Sequence, residues 1–378
     1  MASRQRELAD VHELGRLLDE LSVESILFVV DRRVQEATGA DEILKSCFHR
    51  RRVIEFDRFV ENPRLEDVCA GLTAIEGKKI DAVLAFGGGT AIDVAKLICC
   101  FASQDDSPLN LVTHQDLITN AGICPLIAIP TTSGTGSEAT QFAVAYVDGV
   151  KHSVEHQSIL PDVSIVDPSL TWSMPPHLTA VTGLDAFCQA IESLWSVNST
   201  DESTGYALES LELSFRNLYS AVHSPTPDVR RAMSRAANLS GKAISISKTT
   251  APHACSYAIT MGHGVPHGHA AALTLAPFLR FNSQVSDRDV VDRRGTAHVH
   301  ERLNQIVRSL GCKSVDEAQT TITSLMDSIG CETRLSDVGV STPSQIQQIL
   351  DSVNTARLAN NPRLVKSNDL RQILESIR

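Results

Sequence analysis

Four histidines, His253, His263, His267 and His269, fall within seventeen positions of the segment KTTAPHACSYAITMGHGVPHGHAAALTL. Upstream, TGLDAFCQAIESLW places Asp185 and Gln189 four residues apart, on one face of a helix. A carboxylate on one helix and imidazoles on others are the donors from which metal sites in helical domains are built. Any one of these histidines taken singly is more simply explained as a core or capping residue. The group argues for a metal, because His267 and His269 sit among Gly and Pro rather than on a packed apolar face. Spacing alone does not choose the ligands.

Two segments of the first half have the chemistry of phosphate binding. The apolar run AVLAF leads into Gly87-Gly88-Gly89-Thr90 and then into AIDVAKLICC, where Ile92, Ala95 and Ile98 mark a helix. Glycines let a backbone turn sharply against a ligand, and a new helix presents free N–H groups and a positive dipole end. That geometry binds phosphate. Asp93 and Lys96, one turn inside the helix, either support this loop and its cofactor or are helix-surface charge. The second segment, PTTSGTGSEAT, follows the apolar run PLIAI and carries hydroxyls at Thr131, Thr132, Ser133, Thr135, Ser137 and Thr140. Such a turn can hydrogen-bond phosphate or ribose, and it equally fits a capped helix start with Glu138 following. Two loops of this kind at the ends of neighbouring buried strands form the crevice in which open α/β sheets bind nucleotides.

These groups need a frame to position them. Ser25–Val30, Ala82–Phe86, Pro125–Ile129 and Val163–Val166 are strand-length and rich in Val, Ile and Leu, without alternation. With helical stretches between them, they predict a parallel sheet covered on both faces, a Rossmann-like α/β domain. AVAYVDGVKHSV, with Asp148-Gly149 at its centre, predicts an antiparallel hairpin, and Lys151 on it joins the cofactor-binding candidates. After Asp167-Pro168 the pattern is helical throughout, punctuated by Pro175-Pro176, Pro225–Pro227, Pro252, Pro266 and Pro343. The expected domains are therefore 1–167, α/β and dinucleotide-binding, and 168–378, all-helical and metal- and substrate-binding. Leu8, Val11, Leu14, Leu18 and Leu21 predict an amphipathic helix at the start of the chain rather than a signal peptide. AHVHE and its charged neighbour VSDRDVVDRR are expected in a solvated loop or helix end.

The 378 residues carry 34 Lys+Arg and 45 Asp+Glu, a net charge of 34 − 45 = −11, and are 42 % hydrophobic. This is globular composition. The absence of a basic block argues against nucleic acid, and no apolar run reaches the ~20 residues of a membrane-spanning helix. Arg50-Arg51-Arg52 is too short to be more than a surface turn. The nine cysteines form no C-x-x-C pair and are read as reduced, in a cytoplasmic protein.

GGGTAIDVAK, PTTSGTGSE, TGLDAFCQAIE and VPHGHA, in this order, resemble the iron-containing (group III) alcohol dehydrogenases over roughly 25–282. The resemblance implies an N-terminal nucleotide-binding domain and a helical C-terminal domain, the architecture shared with dehydroquinate synthase. It also implies NAD(P), a divalent metal (Fe²⁺, or Zn²⁺ or Mn²⁺) and a homodimer. The family's metal ligands are an Asp and a His four apart, then two histidines fourteen apart. Asp185, His253 and His267 match three of them, and Gln189 stands where the family has its second ligand. An amide oxygen is a poorer ligand than imidazole for a transition metal. Gln189 is thus left as a weak ligand, a holder of water or a substrate contact. Tyr257 replaces a further family histidine, which alters any proton relay there.

KTTAPHACSY together with DAFCQAIESLWSVNST is similar to the phosphonoacetaldehyde reductases of phosphonate biosynthesis, which make 2-hydroxyethylphosphonate. The implied chemistry is hydride transfer from nicotinamide to an aldehyde whose oxygen the metal polarises. Water, the cofactor ribose or Tyr257 would deliver the proton. Lys248, and second Arg280, are candidates to bind the phosphonate. Asp31, ending the run SILFVV, favours NADH through the ribose 2′-OH, while Arg32 and Arg33 beside it could favour NADPH. The alternatives are a related polyol or alcohol dehydrogenase, a dehydroquinate synthase-like lyase, and a non-catalytic nucleotide- or metal-binding protein.

Overall fold

A computed structural model of the protein describes residues 5–353 and 355–378. The chain divides into two compact units, Met1–Ser173 and Met174–Arg378. In the first, six strands form one parallel sheet: β1 (Arg6–Leu8), β2 (Ser25–Val30), β3 (Arg52–Phe56), β4 (Ala82–Gly87), β5 (Leu126–Pro130) and β8 (Val163–Ile165). Their order across the sheet is β1-β8-β5-β4-β2-β3. Strands β6 (Phe142–Val147) and β7 (Val150–Glu155) pair antiparallel as a separate hairpin. Asp148 and Gly149 turn it with φ of 49° and 77°, as a two-residue turn with both central residues at positive φ requires.

Strands β2 and β4 are buried along their whole length because apolar layers lie on both faces of the sheet. Leu27, Val29, Val83 and Ala85 face a layer that includes helices α4 (Leu65–Ile75) and α5 (Gly89–Phe101). Ile26, Phe28, Leu84 and Phe86 face the opposite layer, with α1 (Leu14–Glu20) and α3 (Asp41–Phe48). Period-2 side chains buried on both sides leave a continuous apolar run, which is why these strands show no alternation. Helices α2 (Arg32–Thr38) and α6 (Pro108–Thr113) complete the unit.

The second unit has no strand among the described residues. It contains α7 (Pro176–Trp195), α8 (Asp201–His223), α9 (Pro227–Ser247), α10 (Ala251–His263) and α11 (His267–Ser283). These are followed by α12 (Thr296–Ser309), α13 (Val315–Ser328), α14 (Pro343–Ser352), α15 (Thr355–Leu358) and α16 (Ser367–Ser376). Proline occupies the first turn of α7, α9, α10 and α14, where its missing N–H costs no helical hydrogen bond. Helix α7 is almost wholly buried and packs against α8, α9 and α11.

Two sequence expectations are corrected. The N-terminal segment is not one helix: Arg6–Leu8 pairs with β8, and only Leu14–Glu20 is α-helical, beyond a turn that Asp10 caps. Edge pairing to β8 outweighs the helical spacing of Leu8 and Val11, and Met1–Arg4 lie outside the described residues. Arg52 belongs to β3 rather than to a surface turn: it opens the strand whose pairing with β2 runs from Ser25↔Arg52 onward. AHVHE forms the first turns of α12, the helix end that was one of its two expected settings, with Val299 turned into the core of the unit.

Candidate active site

The first loop leaves β4 at Gly87, which has φ +152°, and α5 begins two residues later. A Cβ on Gly87 would stand 2.8 Å from that of Ala91 and 3.5 Å from that of Asp31, so only glycine lets the chain enter the helix here. Gly87 pairs with Pro130 at the ends of β4 and β5, and Thr131 N–H donates to the Gly87 carbonyl at 3.0 Å. The two predicted loops are therefore neighbours at one end of the sheet. Thr131 Oγ1 is buried there without a hydrogen-bond partner, a polar group suited to a ligand.

Beneath the second loop lies a buried polar cluster. Lys96 Nζ donates to Ser137 Oγ (3.2 Å), Thr140 Oγ1 (3.0 Å) and the carbonyls of Thr140 (2.8 Å) and Phe142 (2.7 Å). Asp93 accepts from Ser137 Oγ at 2.5 Å and from Val144 N at 3.0 Å. Burial lowers the Lys96 ammonium to about 8 against the pull of Asp93 and Glu138, and raises the Asp93 carboxyl. Asp93, Lys96, Ser137 and Thr140 thus brace the loop from below. Thr135 Oγ1 accepts from Ser137 N, and Thr90 lies in the first turn of α5. Gly88 and Gly89 approach Thr132 and Thr135 respectively. Asp31 Oδ1 caps α2 through Arg33 N and Val34 N, while Lys151 lies on β7 opposite Tyr146, close enough to Asp93 to favour its charge.

In the helical unit, ligand atoms of Asp185, His253 and His267 lie within 4.8 Å of one another. Asp185 comes from the middle of α7, His253 from the first turn of α10 and His267 from the first residue of α11. Gly268 brings α11 this close, since a Cβ there would meet the Val181 carbonyl at 2.1 Å and the Asp185 backbone N at 2.7 Å. The His253 and His267 ring centroids are 5.2 Å apart. His267 Nδ1 lies 3.2 Å from Ser256 Oγ, which itself donates to the His253 carbonyl, so Nδ1 is the donor and Nε2 is left as the ligand atom.

A residue that sequence reasoning missed completes this arrangement. Glu192, fully buried on α7, accepts from Thr250 N (2.9 Å), Thr250 Oγ1 (2.9 Å), His253 N (3.2 Å) and His253 Nδ1. It caps α10 and holds the His253 ring, whose Nε2 is 3.1 Å from Asp185 Oδ1. Burial by itself would lower the His253 pKa, but the two carboxylates hold it well above the ordinary value. The available signal was the spacing of residues 185, 189 and 192, all on one helical face.

The remaining sequence candidates lie elsewhere or have other partners. Gln189 Oε1 accepts from Ser240 Oγ at 2.8 Å. His269 is a core residue bonded to the Glu332 carbonyl at 2.7 Å, and His263 ends α10 outside the trio. Tyr257 stacks on His267, centroids 5.1 Å apart and planes 13° from parallel. Lys248 closes α9 with φ 61° and ψ 168°, a conformation strained for any residue but glycine. Arg280 lies on the surface, bonded to Asp316 at 2.6 Å.

A carboxylate and two imidazoles suit a divalent transition metal. Residues 7–168 match the iron-containing alcohol dehydrogenase profile, and residues 179–378 match the C-terminal profile of the same family. The chain belongs to the iron-containing alcohol dehydrogenase family. As a member it is an oxidoreductase, and the family match extends past residue 282, where the motifs end. A probable alcohol dehydrogenase, EutG, of Escherichia coli is 32 % identical over 309 residues, covering 80 % of this chain and 74 % of EutG. The phosphonoacetaldehyde reductase of Streptomyces viridochromogenes is 34 % identical over 263 residues, 66 % of each chain. The crystal structure of sulfoacetaldehyde reductase from Bifidobacterium kashiwanohense in complex with NAD⁺ is 30 % identical and aligns with a TM-score of 0.87. It covers 100 % of this chain and 97 % of that one.

Proposed function

We propose that this iron-containing alcohol dehydrogenase reduces a small anionic aldehyde, phosphonoacetaldehyde first, to the alcohol, with a nicotinamide dinucleotide as reductant. The convergence of Asp185, His253 and His267 carries the reading. The likeness to a phosphonoacetaldehyde reductase supports the substrate, and the NAD⁺ complex of a structural relative supports the cofactor. Sulfoacetaldehyde is the second candidate, supported by that same relative over the full chain. A homodimer in the cytoplasm belongs to the same reading, and the free cysteines fit a reducing compartment.

A divalent metal held by Asp185, His253 and His267 supplies polarisation of a carbonyl oxygen, and the dinucleotide supplies hydride. The chain's own residues prepare the site. Glu192 and Ser256 fix the proton on Nδ1 of their histidines, which orients both rings. Gln189, tied to Ser240, stands beside the trio on α7 as an outer contact rather than a strong ligand. The Gly87–Gly89 turn and Thr131 receive the dinucleotide phosphates, while Asp93, Lys96, Ser137 and Thr140 keep the second loop in place. Lys248, strained at the end of α9, is one candidate contact for the substrate anion.

The test is NADH oxidation with phosphonoacetaldehyde, with and without added Fe²⁺, Zn²⁺ or Mn²⁺. Metal-dependent oxidation is expected, lost in Asp185→Ala and His267→Ala while NADH fluorescence still reports binding. Full activity in the double variant, or no net NADH consumption with any aldehyde, overturns the reading.

A further inference from the structure

Arg357, on the short helix α15, touches the ring that touches the metal trio. Its Nη1 donates to Tyr257 Oη at 3.0 Å, and its guanidinium carbon lies 4.7 Å from the centroid of that ring. Tyr257 in turn stacks on His267. No carboxylate of the described residues pairs with Arg357, whereas Arg280, Arg294 and Arg363 are each bonded to an aspartate. An arginine fixed by a hydrogen bond and a cation–π contact keeps its charge in place at little entropic cost, with further N–H groups in a planar fork.

We infer that Arg357 reads the anionic group of the substrate: a phosphonate or sulfonate on a short aldehyde whose carbonyl lies at Asp185, His253 and His267. In a chain of net charge −11 the attraction for an anion must be local, and this is a cation set one aromatic contact from a candidate ligand. A guanidinium also matches the tetrahedral oxygens of either group through parallel N–H donors. Tyr257 then acts as the platform for Arg357, which accounts for an aromatic phenol where the family pattern has histidine. The inference rests on the reading of the trio as the carbonyl site.

The test compares wild type, Arg357→Leu and Arg357→Lys, all metal-loaded, on phosphonoacetaldehyde, sulfoacetaldehyde and the neutral propanal. Calorimetry with 2-hydroxyethylphosphonate measures anion binding apart from turnover, and thermal melting confirms folding. In Arg357→Leu the ratio of kcat/KM for the anionic aldehydes over propanal is expected to fall about 10- to 100-fold, the range for losing a hydrogen-bonded charge. Binding of 2-hydroxyethylphosphonate should weaken in step, and Arg357→Lys should recover part of both. A wild type that prefers the anionic aldehydes, with a Leu variant that keeps the preference, overturns the role of Arg357 alone. A wild type that reduces propanal but shows no anionic preference overturns the substrate reading itself.

Discussion

Glu192 and His253 form a buried pair in which the carboxylate accepts the Nδ1 proton of the ring, from the same helix that carries Asp185. The carboxylate cannot donate, so Nδ1 must hold the proton and Nε2 faces Asp185. One glutamate therefore decides which nitrogen of His253 is offered as a ligand.

Glu192→Gln is expected to weaken metal binding about 10- to 100-fold. The amide oxygen keeps the donors Thr250 N, Thr250 Oγ1 and His253 N, which turns the amide NH₂ toward Nδ1 and drives the ring proton to Nε2. Chelator competition with Zn²⁺ or Co²⁺ measures the loss, alongside thermal melting to show that the fold is kept. Wild-type affinity in this variant is the contrary result.

Gly268→Ala should separate α11 from α7. The new methyl group meets the Val181 carbonyl and the Asp185 backbone, neither of which can rotate away. A loss of about 1–3 kcal/mol in urea denaturation is expected from overpacking. Metal stoichiometry should fall with it, since His267 adjoins the displaced residue.

Lys96 makes stability depend on pH on the alkaline side. Its ammonium titrates at about 8 when folded, against an ordinary 10.5. Between those values the unfolded chain binds a proton that the folded chain has released, so raising pH favours the folded state. Below about pH 8 both states hold the proton and the contribution is at its lowest. Urea titrations at about pH 7.5 and 9.5 should show the advantage of wild type over Lys96→Met growing with pH. An advantage that shrinks contradicts this assignment.

Much of the frame was legible because it follows from local chemistry. Continuous apolar runs marked β2, β4, β5 and β8, and Asp148-Gly149 marked the hairpin. What stayed hidden lacked a continuous apolar run: β1 is the three residues Arg6–Leu8, and β3 sets Val53, Ile54 and Phe56 among the charges of Arg52 and Glu55, so their pairing in the sheet reveals them. His269 shows the same limit at the site. It shares its segment with His267, yet packing turns it into the core against the Glu332 carbonyl.

By itself the sequence determined the order of elements, the glycine turn before α5, and the helical face on which Asp185 and Gln189 stand. Each depends on residues a few positions apart, where spacing and backbone geometry are set locally. The family motifs in the sequence already singled out Asp185, His253 and His267, and only the tertiary structure brought their ligand atoms within 4.8 Å, set Glu192 on His253 and rested Arg357 on Tyr257. Those contacts join residues 61 and 100 positions apart. They exist because helix packing brings distant faces within hydrogen-bonding range, as the missing side chain of Gly268 does for His267 and Asp185.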